Sequence, residues 1–179
     1  MKPTDSSGRV KDGAEAVLTA TGLGVGFFPE AGRRLEVVAG VDLRLCAGRT
    51  TALVGESGCG KSVTAAALGG LLPRGMAQDQ GEIRWADGAA RGPGRGLAYV
   101  FQDPGECLDP VFTVGNQLIE TLKKHKRMSE REAYEKSLSL LAMVMIPDPE
   151  RRIGQYPHEF SGGMRQRVMI AMALSCQPR

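Results

Sequence analysis

The stretch GESGCGKS, residues 55–62, follows a short apolar run and precedes a segment with helical patterning. It fits the pattern G-x-x-x-x-G-K-[ST], which cradles phosphate groups when it lies between a strand and a helix. Glycines let such a loop point consecutive N–H groups at an anion, and the helix N-terminus adds about half a positive charge. In this pattern Lys61 contacts the β- and γ-phosphates, and the Ser62 hydroxyl is a ligand for Mg²⁺. The stretch therefore predicts a nucleoside-triphosphate site.

The flanking sequence places this loop in an α/β core. The run RTTALVG at 49–55 is continuously apolar after its start, which predicts a strand buried on both faces. A helix is expected from Lys61 to about Leu72, because Pro73 ends the pattern. Partial alternation and bounding glycines indicate further strands, the first two of them in an antiparallel layer. These strands are expected at 16–25, 34–48, 81–85 and 96–102.

After Pro110 the pattern becomes helical. Helices are predicted at 113–125, at 129–146 with Ser129 and Glu132 at capping-box spacing, and from 162 onward with Ser161 as N-cap. An apolar stripe of Val168, Ile170, Ala171 and Leu174 is expected to bury the last helix. The methionines of this half are expected to fill the core. They are Met143, Met145, Met164, Met169 and Met172.

Composition excludes several classes of protein. The 179 residues are 42% hydrophobic with a net charge of +3, which indicates a globular domain and gives no indication of nucleic-acid binding. No apolar run reaches the roughly 18 residues needed to cross a bilayer, and the polar N-terminus does not resemble a secretory signal. The cysteines are scattered, which favours reduced thiols over a metal site. They are Cys46, Cys59, Cys107 and Cys176.

Three further features choose among nucleotide-binding families. Gln102 lies in VFQDP at the end of a predicted strand, and SGGM at 161–164 opens a helix. Phe27 and Phe28 follow the first predicted strand, where an aromatic ring could stack on adenine. Together with the phosphate loop these resemble the nucleotide-binding subunit of an ATP-binding-cassette (ABC) transporter. The segments GESGCGKSVT, VFQDPGECLDPVFTVGNQL and IPDPERRIGQYPHEFSGGMRQRVMIAMAL resemble the dipeptide, oligopeptide and nickel importers in particular.

The resemblance implies an α/β P-loop NTPase: a RecA-like core with an antiparallel β layer and an inserted helical lobe, the C-terminal half of the core missing. It divides the chain into a flexible tail at 1–15, the core at 16–104, a helical lobe at 105–160 and a signature segment at 161–179. Lys61 and Gln102 would serve catalysis, and Ser62 and Gln102 would bind Mg²⁺. The implied ATP-binding residues are Phe27, Gly55, Glu56, Ser57, Gly58, Cys59, Gly60, Lys61, Ser62, Val63, Gln102, Ser161, Gly162, Gly163 and Met164.

The implied partners follow from the same family. Two nucleotide-binding subunits, identical or different, pack head to tail, so that Ser161, Gly162 and Gly163 of one would cap the ATP held by Lys61 of the other. The pair would dock on two membrane-spanning permease subunits at the cytoplasmic face of the plasma membrane. An extracytoplasmic solute-binding protein would deliver peptides or nickel, and no nucleic acid is involved.

The sequence departs from the family pattern in ways that affect the expected activity. Met164 stands where the general signature has glutamine, Asp109 replaces a common asparagine, and 87–96 is short. The Walker B aspartate, the catalytic glutamate and a later histidine have no counterpart, so the 179 residues are expected to bind ATP without efficient hydrolysis. Two alternatives stay open: a non-transport cassette protein of the carbon–phosphorus lyase accessory type, and an inert or regulatory nucleotide-binding fragment.

Overall fold

The structure is a computed structural model that describes residues 15–30, 32–88, 96–102, 107–126 and 128–178. The chain divides into two compact units, Met1–Ala90 and Arg91–Arg179, and each has its own hydrophobic core. The predicted flexible tail lies outside the described residues except for Glu15, and the predicted short segment at 87–96 is described only at 87, 88 and 96. No helix among the described residues is long and apolar enough to cross a membrane.

The first unit contains a three-stranded antiparallel sheet in the order β2-β1-β3. The strands are β1 (Ala16–Phe27), β2 (Leu35–Cys46) and β3 (Met76–Trp85). Central β1 pairs with both neighbours, and the register shifts between Thr21 and Val25 mark bulges. The backbones of β1 and β3 approach closely at Gly22 and Gly81. Only glycine fits at position 81, because a Cβ on Gly81 would lie 2.2 Å from the Gly22 carbonyl oxygen. The predicted antiparallel layer is confirmed, and β3 begins five residues earlier than expected.

Helix α1 (Lys61–Leu68) packs on this sheet. Buried Ala67 joins Leu23, Val25 and Val38 in the core of the first unit, with Val63 packed partly against them. The helix is shorter than predicted because Gly69 ends it and Gly70 takes a left-handed conformation with φ 65°. At its other end, α1 begins beside β2, where Gly60 lies close to Val37. This contact sets the direction in which the preceding loop faces.

The prediction of a doubly buried strand at 49–55 is wrong for these residues. They adopt no strand, and Leu53 and Val54 expose 43% and 89% of their surface. A strand exists through hydrogen bonds to neighbouring strands, and the sheet of the described residues contains only β1, β2 and β3. The predicted strand at 96–102 is likewise absent, apart from one isolated bridge at Leu97.

The second unit is helical, and the predicted helices are confirmed. Helices α2 and α3 form the N-terminal pair, a short α4 and one 3₁₀ turn follow, and α5 ends the unit. Leu118 and Leu122 of α2 pack with Leu141 of α3 and Val168 of α5 in one core. The bounds are α2 Val114–Lys126, α3 Glu130–Met143, α4 Pro149–Arg152, the 3₁₀ turn Pro157–Glu159, and α5 Gly162–Ser175.

The buried face of α5 differs from the predicted stripe. Val168 and Ala171 are fully buried as expected, but Ile170 and Leu174 each remain 38% exposed. Met169 and Ser175 are buried in their place, because packing against α2 and α3 sets the rotation of a helix that is apolar on several sides.

The methionine prediction is only partly right. Met169 is buried, and Met164 and Met172 pack against the core of the second unit. Met143 and Met145, in contrast, are 63% and 71% exposed: Met143 is the last residue of α3 and is not on its buried face, and Met145 lies in the turn that follows. Met145 also has a left-handed backbone conformation with φ 58°, which is uncommon for a residue with a side chain.

Candidate functional site

The phosphate loop owes its shape to its glycines. Gly58 and Gly60 have φ 81° and 91°, a left-handed region that glycine occupies without steric cost. Gly60 is also the N-cap of α1, and a Cβ there would lie 3.1 Å from the Val37 carbonyl oxygen. The loop therefore crosses β2 at a distance only glycine allows. Because Gly60 has no side chain, no capping group covers the first turn of α1, and that turn contains no carboxylate.

Lys61 folds back over the loop that precedes it. Its Nζ donates to the carbonyl oxygens of Gly55 at 2.9 Å and Glu56 at 2.6 Å, and lies 3.5 Å from the Cys59 Sγ. Residues 55–59 are exposed, so this ammonium group is at the surface. Positive charge, a left-handed glycine turn and an uncapped helix start thus converge at one place, and each of the three favours an anion.

The residues after Lys61 divide between site and core. Ser62 is exposed, so its hydroxyl is accessible beside the lysine, whereas Val63 packs partly into the core of the first unit. Thr64 is buried and donates both its N–H and its hydroxyl to the Gly60 carbonyl oxygen, at 2.8 and 3.0 Å. These two bonds fasten the helix start to the loop. An exposed hydroxyl is a ligand that Mg²⁺ accepts, so Ser62 fits the predicted role.

Phe27 lies at the end of β1 in the same unit. It is half-buried and pairs with Leu35 and Met76, and a Cβ on Gly75 would lie 2.9 Å from its ring. The next residue, Phe28, donates its N–H to the Gly75 carbonyl oxygen at 2.7 Å and is 45% exposed. Two aromatic rings are therefore presented at this strand end, and the second is open to solvent.

An ion pair stiffens the same strand end. The guanidinium of Arg34 donates through Nε and Nη2 to the two carboxylate oxygens of Asp79, the latter at 2.9 Å. This pairing holds the pKa of the Asp79 carboxyl below its ordinary value. Both groups lie over Gly26, where a Cβ would meet them and the Phe28 ring at about 3 Å. The sequence analysis did not single out this pair.

Gln102 and the signature residues lie in the second unit. Gln102 is exposed, next to the Tyr99–Phe101 ring contact, and 103–106 are outside the described residues. Ser161 caps α5, its hydroxyl accepting from the Met164 N–H at 3.4 Å, as predicted. Gly162 and Gly163 are exposed, and a Cβ on either would meet no atom within 4 Å. Met164 instead packs against the core.

The predicted site residues thus fall into two groups. Phe27 and residues 55–63 belong to the first unit, and Gln102 and residues 161–164 belong to the second. Among the described residues no cluster of three or more His, Cys, Asp or Glu could hold a metal ion. The predicted Mg²⁺ ligands Ser62 and Gln102 belong to different units, and both are exposed.

Gln117 and Gly115 are residues of interest that the sequence analysis missed. Gln117 is only 9% exposed, although it lies in a helix whose apolar residues recur at Val114, Leu118 and Leu122. A glutamine at that apolar spacing is the sequence signal that could have found it. Gly115 gives no such signal, because the residue that requires glycine there is far away in the sequence. A Cβ on Gly115 would lie 2.6 Å from the Ile153 carbonyl oxygen.

Comparison with known proteins assigns these features to a family. The family described as "ABC transporter" matches residues 38–179. "Dipeptide transport ATP-binding protein DppD" of Bacillus subtilis is 47% identical over 92% of this chain and 52% of its own length. "Glutathione import ATP-binding protein GsiA" of Salmonella choleraesuis is 44% identical over 90% of this chain and 28% of its own length. The chain thus spans about half, or less, of these relatives.

Solved structures agree with this fold. The dimeric "post-hydrolysis state of the ATP-binding cassette MJ0796 bound to ADP and Pi" superposes with a TM-score of 0.74 at 24% identity, over 90% of this chain and 70% of that one. A structure titled "ATP binding subunit of ABC transporter" gives 0.67 at 29% identity, over 90% and 63%. The α/β P-loop fold of an ABC cassette is confirmed. The chain belongs to the ABC transporter family, and its relatives are peptide and glutathione importer ATP-binding proteins.

Proposed function

We propose that this protein is the ATP-binding subunit of an ABC importer that couples ATP binding and hydrolysis to the uptake of peptides or nickel. The observation that supports it most directly is the geometry of residues 55–62. Left-handed Gly58 and Gly60, the ammonium of Lys61 and the uncapped start of α1 all lie together and at the surface. This is a site for a polyphosphate.

The roles of the individual residues follow from their chemistry. The loop amides and the N-terminus of α1 would bind the phosphates, with Lys61 exchanging its bonds to the Gly55 and Glu56 carbonyls for phosphate oxygens. Ser62 and Gln102 would each offer an oxygen ligand to Mg²⁺. Mg²⁺ would supply charge neutralisation between the phosphates. Phe27 would stack on the adenine, with Phe28 exposed beside it.

The signature residues support the proposed head-to-tail pair of subunits. Gly162 and Gly163 open α5 on an exposed surface, and nothing in the described residues requires them to be glycine. Glycine there leaves the N–H groups of the first turn accessible to an external anion. We propose that this anion is the γ-phosphate of ATP held by Lys61 of a second subunit, identical or homologous.

The permease subunits are proposed to dock on residues 108–113, which we call the docking loop. Val111 and Phe112 expose 74% and 51% of their surface, although the loop is rigidly held. Buried Gln117 donates to the carbonyl oxygens of Asp109 and Phe112 and accepts from the Asp109 N–H, all within 3.0 Å. Beside Phe112 lies an open groove of about 560 Å³, lined also by Glu120, Thr121 and Lys124. Apolar side chains on a rigid rim suit an amphipathic partner segment.

This arrangement implies a peripheral subunit at the cytoplasmic face of the membrane, with a solute-binding protein acting indirectly through the permeases. We further propose that residues 1–179 alone bind ATP without efficient turnover. None of the residues assigned a role here is a carboxylate that could orient the attacking water. Co-purification with hydrophobic subunits would distinguish an importer from a non-transport cassette protein.

Titration with a fluorescent ATP analogue tests ATP binding. Lys61→Ala should weaken binding by about thirtyfold, since it removes a charge-assisted bond of about 2 kcal/mol. Lys124→Ala removes an exposed lysine from α2 and is the matched control; it should leave binding unchanged. Equal affinity of the two variants, or no binding by the wild type, would overturn the proposal.

A further inference from the structure

The docking loop and the signature residues are joined by a short path of backbone contacts within the second unit. Helix α2 begins directly after the docking loop, and α5 begins at the signature. Between them, residues 153–155 lie against the first turn of α2. The Val114 N–H donates to the Gln155 carbonyl oxygen at 2.9 Å, and the Gly115 N–H donates to the Ile153 carbonyl oxygen at 2.8 Å.

Helix N-termini leave their first N–H groups without intrahelical partners. In α2, two of these groups are satisfied by the backbone of another segment rather than by a side chain that could rotate away. Gly115 makes this approach possible, because any Cβ would lie 2.6 Å from both the Ile153 carbonyl oxygen and its Cγ1. Gly115 and Ile153 are both buried, so water cannot readily replace the bond.

The docking-loop side of this path is rigid. The Gln117 side chain makes all three of its bonds to the loop from inside α2. Thr113 adds two more, accepting the Asn116 N–H at its hydroxyl and the Gln117 N–H at its carbonyl. These bonds tie the docking loop to the first turn of α2, so a displacement of Val111 or Phe112 is expected to move that turn with the loop.

The signature side is equally continuous. Gln155 donates to the Glu159 carboxylate at 3.3 Å, and that carboxylate accepts the Tyr156 N–H at 2.7 Å. The Arg152 guanidinium donates through Nη1 to the Gln155 side-chain oxygen at 3.3 Å and lies 6.0 Å from the Phe160 ring centre. The Phe160 carbonyl oxygen in turn accepts from Arg165 of α5 at 3.0 Å. Residues 152–160 are thus a braced turn that ends at Ser161.

We propose that residues 153–155 form a strut that transmits the position of the docking loop to the start of α5, and that Gly115 is its positioning residue. The proposal rests on the proposed function, in which the docking loop meets a permease and Ser161 meets ATP. Movement of the permease segment would then reach the N–H groups of Gly162 and Gly163 through two backbone hydrogen bonds. Gly115 itself touches neither ATP nor the partner.

A double-mutant cycle read by NMR of the full-length protein tests transmission. Gln117→Leu keeps the volume of the side chain but removes its bonds to the docking loop. The readout is the displacement of the Gly162 and Gly163 amide resonances that this substitution causes. We expect a clear displacement in the wild-type background, which falls to less than half in a Gly115→Ala background.

Gly154→Ala is the matched control, because Gly154 lies in the strut but a Cβ there meets no atom within 4 Å. In that background the displacement should match the wild type. If Gly115→Ala does not fold, Val114→Pro replaces it: proline is accepted at the first helical position but cannot donate to the Gln155 carbonyl. No displacement in the wild type, or one that is reduced by less than half when the strut is broken, overturns the proposal.

Kinetics of the full-length protein assembled with its permease subunits gives a second readout. Gly115→Ala should lower kcat for ATP by about tenfold relative to Gly154→Ala, within the range of ordinary coupling energies, and leave the KM for ATP unchanged. An equal effect of both substitutions would contradict the strut. The NMR cycle needs no nucleotide, so a protein that fails to bind ATP overturns the proposed function while the strut is still decided.

Discussion

The glycines of the phosphate loop and those of the signature are required for different reasons. Gly58 and Gly60 have left-handed backbone conformations, and Gly60 also faces the Val37 carbonyl oxygen at close range. Gly162 and Gly163 have ordinary helical geometry and open space where a side chain would be. The backbone conformation of the chain itself explains the first pair, whereas nothing in the described residues requires glycine at the second pair. The contrast supports the proposal that Gly162 and Gly163 face another molecule.

The largest effect is expected when the second pair is filled. Gly163→Ala should lower the ATPase rate of the full-length protein by about a hundredfold, because a methyl group would stand where the γ-phosphate of the opposite subunit is proposed to approach. ATP affinity of the single subunit should stay within twofold of the wild type. Steady-state hydrolysis and analogue titration measure the two quantities. Unchanged hydrolysis would contradict the proposed contact of Gly163 with ATP held by a second subunit.

Gly60→Ala should damage the fold and the site together. The left-handed conformation and the approach to Val37 are expected to cost about 1–3 kcal/mol in the free energy of unfolding. ATP affinity should fall by about tenfold or more, because the N-terminus of α1 shifts from the loop. Denaturant unfolding and analogue titration provide the measurements. Gly163→Ala is the control, since alanine in the first turn of α5 should not destabilise the protein.

Met145 is the converse case, a residue with a side chain in a left-handed conformation. It has φ 58° without being glycine, and its side chain is 71% exposed, so little packing is lost with it. Met145→Gly should therefore raise the free energy of unfolding by about 0.5–1 kcal/mol. Glycine removes the strain of the left-handed backbone, and this gain should exceed the extra conformational entropy that glycine loses on folding. Met143→Gly is the control: this exposed methionine ends α3 without a positive φ, and its replacement should destabilise. Chemical denaturation of both variants checks the sign.

The smallest effect concerns the cap of α3. At Ser129 the Glu132 carboxylate accepts from both the hydroxyl and the N–H, and these bonds hold the pKa of Glu132 below 4.5. Its contribution to stability is therefore fully present above the unfolded pKa and is lost as pH falls through the lower folded pKa. Glu132→Gln should reduce stability at pH 7, with a difference from the wild type that shrinks below about pH 4.5. Thermal unfolding across pH 3–7 measures it, and a difference independent of pH would contradict the assignment.

Local features were predictable from the sequence because the residue itself determines them. The serines at 129 and 161 predict helix starts, and both cap their helices in the structure. The glycines of the phosphate loop predict a tight curl, and Gly58 and Gly60 have left-handed conformations there. The run 49–55 was predicted wrongly because an apolar composition does not supply the neighbouring strand it needs. The buried face of α5 was also missed in part. MIAMAL is apolar in most directions, and only packing against α2 and α3 selects Met169 over Ile170.

The candidate site shows the same division. The loop at 55–62 could be read because one short motif contains its whole geometry. The contact between Gly115 and Ile153 joins segments far apart in the chain, so no local sequence pattern predicts it. Gln117 lies between these cases. Its spacing places a polar residue on an apolar face, a signal that could have singled it out, but its three loop partners are evident only in the folded unit.

The resting contacts of Lys61 have a consequence for selectivity. Its ammonium already has two carbonyl partners, so an arriving anion gains only the difference between its own bonds and those it displaces. A single phosphate ion can replace the carbonyls at the lysine, because a charged oxygen is the stronger acceptor, but it reaches only part of the loop. The polyphosphate of a nucleotide reaches the lysine, the loop amides and the helix start at once. We therefore expect the loop to prefer polyphosphates to small anions, because the contacts of successive phosphates add to one another.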